Sequence, residues 1–187
     1  MSEKNNLEVV SIRLKKERPL MSHEPINQPI VAVNAVGKYL SRMDREVVCV
    51  INCNSDLKPI NCSFVSIGAL DNSIVSPREI FKSSILSNAK SIILVHNHPS
   101  NNLAPSKADI SVTDRMVQSC ELLDISFLDH IIVGTEPGIF YSFREKGILE
   151  DKNSHRRSNA VAVNFSIDEA AKKYLAQNNV RLKRKSR

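Results

Sequence analysis

Residues 91–100 read SIILVHNHPS, and residues 105–110, close behind them, read PSKADI. After Ser91 the first segment holds four apolar residues in succession, Ile92 to Val95, the pattern of a short strand buried on both faces. The strand runs straight into His96 and His98. Two apart on an extended chain, their side chains leave on the same side. Pro99 lacks the amide proton that would continue a ladder, so we expect the strand to stop there and leave both imidazoles at an edge open to solvent. Ser106 and Asp109 lie three apart at the start of the next amphipathic stretch, which places them on one helical face. Two imidazoles and a carboxylate are a zinc-type donor set, satisfied at distances of roughly 2.0–2.1 Å. Such a set leaves a fourth position for a water whose pKa the ion brings to about 7. Taken singly, a His-x-His is often a pair of surface histidines, and Ser-x-x-Asp is a helix cap. Their joint spacing is what points to a metal site.

Upstream, residues 7–14 (LEVVSIRL) have the branched apolar content of a strand, and residues 19–29, with three prolines, read as a loop. Val36, Tyr39, Leu40 and Met43 recur at helical spacing and predict a helix with one buried stripe. Glu46 opens VVCVINC, a second buried strand. Residues 54–59 form a turn, and residues 61–68 a strand paired with the one before. Ser76-Pro77-Arg78-Glu79 carries a hydroxyl cap, a proline suited to the first helical position and an acid three residues after the cap. It predicts a capping box followed by a helix with Phe81, Ile85 and Ala89 inward. The helix opened by Ser106 should turn Ile110, Thr113, Val117 and Cys120 inward. Residues 125–133 and 140–143 complete the set of strands. Helices alternate with strands and hairpin-like pairs, which is a mixed α/β order.

These segments resemble a known family. EIFKSSILSNAKSIILVHNHPS, PSKADISVTDRM and LLDISFLDHIIVG look like the RadC-type members of the JAMM (MPN+) metallopeptidases, and the similarity runs from about Gln28 to about Leu149. The resemblance implies a JAMM/MPN-like, cytidine-deaminase-like α/β (α+β mixed) fold, with a curved mixed sheet flanked by helices. It implies that His96, His98 and Asp109 hold one Zn²⁺ and that Ser106 helps stabilise a tetrahedral oxyanion. It also implies a glutamate that activates water and later protonates the leaving amine. Glu79 is nearer the histidines in sequence, but as the third residue of a capping box it has a structural task. Glu46 stands at the head of a strand, where the family carries its glutamate, and we take it as the base. His130, within Leu128-Asp129-His130, is expected to support the site rather than touch substrate.

The chain departs from the pattern in one place. RadC-like proteins usually show glycine after His-Pro-Ser, and this chain has Asn101-Asn102. Asparagine tolerates left-handed backbone angles better than most residues, so the turn can be kept.

Bulk properties bound these expectations. At 187 residues and 42% hydrophobic content the chain fits one domain with appendages. We divide it into an N-terminal strand and loop (1–27), an MPN-like domain (28–150) and a basic extension (151–187) with a linker at 151–160, a short capped helix at 166–177 and a disordered RLKRKSR end. No stretch approaches the ~20 apolar residues that span a bilayer, and residues 1–6 are polar, so a cytoplasmic setting is expected. The four cysteines, Cys49, Cys53, Cys62 and Cys120, lie in apolar segments and read as buried free thiols.

The net charge of +6 is concentrated at the end, where residues 151–187 hold ten basic against three acidic side chains. That asymmetry supports a rival function, a nucleic-acid-associated protein of DNA-repair type gripping phosphates with its tail. A solvated terminus is the plainer account of the same charges. A third possibility, a non-catalytic scaffold, is weakened by the presence of every expected ligand type. The substrate, whether peptide, isopeptide or another amide, and the oligomeric state are not written in the sequence.

Overall fold

The computed structural model describes residues 11, 13–17, 24–67 and 76–149. Five strands form one sheet: β1 (Val47–Cys53), β2 (Pro59–Ile67), β3 (Ser91–Asn97), β4 (Ser126–Val133) and β5 (Phe140–Ser142). Their spatial order is β2-β1-β3-β4-β5, antiparallel at every pair except β3–β4, which is parallel. The sheet is therefore mixed, as expected. All seven residues of β1 and of β3 are buried. The cause is position, since both are internal strands covered on two faces and have no solvent side on which polar residues could alternate.

Two layers of helix do the covering. On one face lie α1 (Pro29–Ala32), a π turn (Val33–Gly37) and α2 (Lys38–Leu40), which run without a break. Ala32, Val33, Val36 and Leu40 pack there against Cys49, Ile51, Ile93, Val95, Ile131 and Val133. On the other face, α3 (Pro77–Leu86) and α4 (Lys107–Leu122) bury Ile80, Phe81, Val112, Met116 and Cys120 against Val48, Val50, Ile92 and Leu94. Alternation along β3 thus sends Ile93, Val95 and Asn97 one way, and Ile92, Leu94 and His96 towards α3 and α4. Among the described residues no helix is long and apolar enough to cross a membrane. None of the four cysteines is in a disulfide, and all but the half-buried Cys62 are fully buried.

Several expectations need correction. The first helix begins earlier than residue 36, because Pro29 takes the first helical position, where its missing amide proton costs nothing. Met43 lies beyond its end. Ser76 does cap α3, with Pro77 following, but no side-chain capping bond forms. Glu79 pairs instead with Lys82, at 2.7 Å. Ile85 is 54% exposed rather than inward, and the buried face of α3 runs through Ile80, Phe81, Ser83 and Ser84. On α4 the inward residues are Asp109, Val112, Thr113, Met116 and Cys120, while Ile110 and Val117 are half-buried. Of the expected strand at 7–14, Ser11, Arg13 and Leu14 are described and have no regular structure. The linker, helix and tail expected after residue 150 lie outside the described residues.

Candidate metal centre

The C-terminal end of β3 delivers His96 and His98 against the first turn of α4. β3 is the central strand of the sheet, so the expected solvent-open edge is not found. His96 is fully buried and His98 is 7% exposed. The shared face is found, with the two Nε2 atoms 3.0 Å apart.

Asp109 is held by the cap of its own helix. Ser106 Oγ accepts the Asp109 amide at 3.1 Å, and Asp109 Oδ2 accepts the Ser106 amide at 2.7 Å. The helix-cap reading of Ser-x-x-Asp is found, and it does not exclude a ligand role, because the cap leaves one carboxylate oxygen over. Oδ2 closes the capping box. Oδ1 is left over, 3.1 Å from His96 Nε2, buried and with no hydrogen-bond partner. An unpartnered buried carboxylate oxygen costs free energy unless a cation meets it.

The outer nitrogens of the rings are spoken for. His98 Nδ1 lies 2.6 Å from the Asn102 carbonyl oxygen. A carbonyl only accepts, so Nδ1 carries a proton, and in the neutral ring Nε2 then presents a lone pair. His96 Nδ1 lies 2.8 Å from His130 Nε2. The ligand atoms of His96, His98 and Asp109 all fall within 4.8 Å of one another, and this group could hold a metal ion. Around a tetrahedral ion with bonds of ~2.0–2.1 Å, ligand atoms stand about 3.3 Å apart. The two Nε2 atoms stand 3.0 Å apart, His96 Nε2 lies 3.1 Å from Asp109 Oδ1 and His98 Nε2 lies 3.5 Å from Asp109 Oδ2, distances that bracket that edge. The donor set fits a divalent cation with a nitrogen and oxygen preference.

Charge around the site follows the same logic. Burial alone would raise the Asp109 carboxyl, but the His96 and His98 rings beside it outweigh burial and hold the group well below the carboxylate range. Burial would lower His98, yet the Asp109 carboxylate, the Asn102 carbonyl and the Glu46 charge together raise it. Burial, reinforced by His96, pushes His130 well below the ordinary histidine value.

Glu46 immediately precedes β1. The antiparallel register pairs Val48 with His96, and continuing it by two residues sets Glu46 opposite His98. Directly opposed residues point to the same face, and the Glu46 charge acts on the His98 ring. Asn97 fastens this corner by accepting the Val47 amide at 2.8 Å and donating to the Arg45 carbonyl at 3.0 Å. Glu79 takes no such place, being engaged with Lys82.

Asn101 adopts φ 59°, the left-handed turn expected where the family carries glycine. Reasoning from sequence missed Thr113 as a polar member of this cluster. Its hydroxyl bonds both the Asp109 carbonyl and His130, and its place four residues after Asp109 on one helical face was the available signal. Asp129 accepts the His130 and Arg144 amides and the Ser142 hydroxyl, tying β4 to the turn after β5, while burial pushes its carboxyl up to about 6.

Comparison with known proteins agrees with this architecture. A family model described as the RadC-like JAB domain matches residues 26–148. A UPF0758 protein of Clostridium acetobutylicum is 42% identical over 124 residues, which cover 66% of this chain and 53% of the relative. One from Caldanaerobacter subterraneus is 42% identical over 125 residues, 67% and 53% of the two chains. One from Pelodictyon phaeoclathratiforme is 41% identical over 128 residues, 66% and 57%. The chain thus spans little more than half the length of these relatives. Matched over most of its length by that family model, and carrying a buried His-His-Asp cluster at the end of the central strand, the chain belongs to the RadC-like JAB domain family.

Proposed function

We propose that this chain is a zinc-dependent metallohydrolase of the peptidase or isopeptidase kind, cleaving an amide bond. The observation that carries the proposal is the convergence of His96 Nε2, His98 Nε2 and the Asp109 carboxylate on one buried point with a glutamate in register beside it. Zinc held there supplies Lewis acidity towards a carbonyl oxygen and makes water acidic enough to attack at neutral pH.

The chain's own groups supply the rest. Glu46 takes a proton from the attacking water and passes it to the departing amine nitrogen. Ser106 Oγ uses a lone pair for the Asp109 amide, which leaves its O–H proton to donate to the developing oxyanion. A donor of that kind contributes about 3–4 kcal/mol. His96, His98 and Asp109 would hold the ion.

The test is Glu46→Gln, assayed for zinc content and for hydrolysis across a panel of peptide and isopeptide substrates. The proposal expects full zinc occupancy with turnover reduced at least 100-fold, within the range general-base loss produces. Unchanged turnover would remove Glu46 as the base. A wild-type chain that hydrolyses no member of the panel would remove the hydrolase reading.

A further inference from the structure

Behind His96 runs a line of polar atoms that touches neither solvent nor the prospective ion. Thr113 Oγ1 lies 2.7 Å from the Asp109 backbone oxygen and 2.6 Å from His130 Nδ1. His130 Nε2 lies 2.8 Å from His96 Nδ1. Thr113, His96 and His130 are all buried. His130 is held flat against Phe143, with ring centroids 4.8 Å apart and planes 15° from parallel.

Proton counting gives this line a direction. The threonine hydroxyl owns one proton. Turned towards His130, it would leave two oxygens without hydrogen between them at 2.7 Å; turned towards the Asp109 carbonyl, it makes a hydrogen bond. Thr113 Oγ1 must then accept from His130 Nδ1. Neutral His130 has one N–H, so its Nε2 carries a lone pair and accepts from His96 Nδ1. His96 in turn presents a bare Nε2 to His98 and Asp109.

We propose that Thr113 and His130 are positioning residues that fix the tautomer of His96, with His130 acting as the orienting partner of a metal-ligating histidine and the helix carbonyl of Asp109 as the end of the relay. The inference deepens the metal-site reading and rests on it. Its physical content is that α4 supplies one ligand through the Asp109 carboxylate and sets a second through the Asp109 carbonyl. Both halves of one residue thus converge on one ion, the first directly and the second through Thr113, His130 and His96. A ligand histidine commonly has its outer nitrogen bonded to a carboxylate, carbonyl or water. Here that partner is a second neutral imidazole, which needs a hydroxyl behind it to hold its own proton on the far side.

The experiment uses the whole chain, metal-free and then titrated with zinc, as wild type, Thr113→Val and Thr113→Ser. Long-range ¹⁵N–¹H imidazole spectra of the metal-free chain report which nitrogen of each ring carries hydrogen. The relay expects Nδ1–H on both His96 and His130 in wild type and in Thr113→Ser. In Thr113→Val, which keeps the shape and loses the hydroxyl, it expects His96 to shift towards Nε2–H and zinc affinity to fall 10- to 100-fold. A merely structural role for Thr113 would move stability without moving the proton. Nε2–H on His96 in a wild type that binds zinc overturns the relay alone. So does a Thr113→Val chain whose zinc affinity stays within about twofold of wild type. Should Thr113→Val fail to fold, the wild-type spectrum decides by itself. A wild type with the stated proton order that binds no zinc overturns the metal reading, and the relay's purpose with it.

Discussion

Gly134 lies so close to the side-chain oxygen of Asn101 that a Cβ added to it would overlap that oxygen. The same oxygen accepts the Thr135 amide at 3.0 Å, while the Asn101 amide bonds back to the His98 carbonyl at 3.0 Å. Asn101 therefore fastens the loop after the histidines to the end of β4 and, through its left-handed turn, aims the Asn102 carbonyl at His98.

Gly134→Ala should displace the Asn101 side chain and strand the Thr135 amide, lowering stability by about 1–3 kcal/mol. Gly134 has no positive φ of its own, so the overlap is the whole cost. The double variant Gly134→Ala/Asn101→Gly removes the overlapping oxygen and should be more stable than Gly134→Ala alone. Urea unfolding of wild type, Gly134→Ala, Asn101→Gly and the double variant checks this, and simple additivity of the two single losses would contradict it.

Glu79→Ala should change stability by no more than about 0.5 kcal/mol, the worth of an exposed ion pair, because Glu79 and Lys82 are 43% and 59% exposed. Zinc content and hydrolysis should not change. A loss of either in this variant, with Glu46→Gln silent, would reverse the assignment of the two glutamates.

Acid should destabilise the metal-free chain through His130. Its folded pKa lies below the ordinary 6.5, so below about pH 6.5 the unfolded chain takes up a proton that the folded chain refuses. Stability from this group is complete above that pH and falls as pH drops, by up to about 1.4 kcal/mol per pH unit. His98, with its raised value, acts in the opposite sense: its stabilisation is present at low pH and lost as pH rises through the folded pKa. Chemical denaturation of wild type and His130→Gln between pH 7.5 and 5 separates the two. The variant should show the shallower loss on acidification, and equal slopes would remove His130 as the cause.

The basic extension gives a separate expectation. If its ten basic residues contact phosphates, removing residues 151–187 should weaken binding to duplex DNA and flatten the dependence of affinity on salt. Affinity measured from 50 to 200 mM salt checks this, and a body that binds as tightly as the whole chain would take the tail out of nucleic-acid binding.

Much of the fold was legible because its central strands are continuous apolar runs and its turns carry the expected residues. Ser91–Asn97 and Val47–Cys53 could hardly be read otherwise. Strand order is a long-range property, however, and nothing local in SIILVHNHPS says that two more strands will close over its far side. Hence the sequence points to histidines at an edge, whereas the structure buries them. The two Ser-x-x-acid segments show a second limit. Both offer the same possible bonds, but Glu79 is long enough to reach Lys82 one turn on, whereas the shorter Asp109 closes its box. Pattern lists the bonds available, and competition among neighbours selects one. Its spacing on the helix marks Thr113 only as a core position. Its hydroxyl gained meaning only when β4 brought His130 against it.

Zinc stoichiometry decides the account most directly. Metal-free wild type and His96→Ala, each titrated with zinc and examined by native mass spectrometry, should differ plainly. One ion per wild-type chain is expected, with affinity at least 100-fold weaker in the variant. A wild type that takes up no zinc, or a variant that binds it as well as wild type, would contradict the claim that His96, His98 and Asp109 are built to hold an ion.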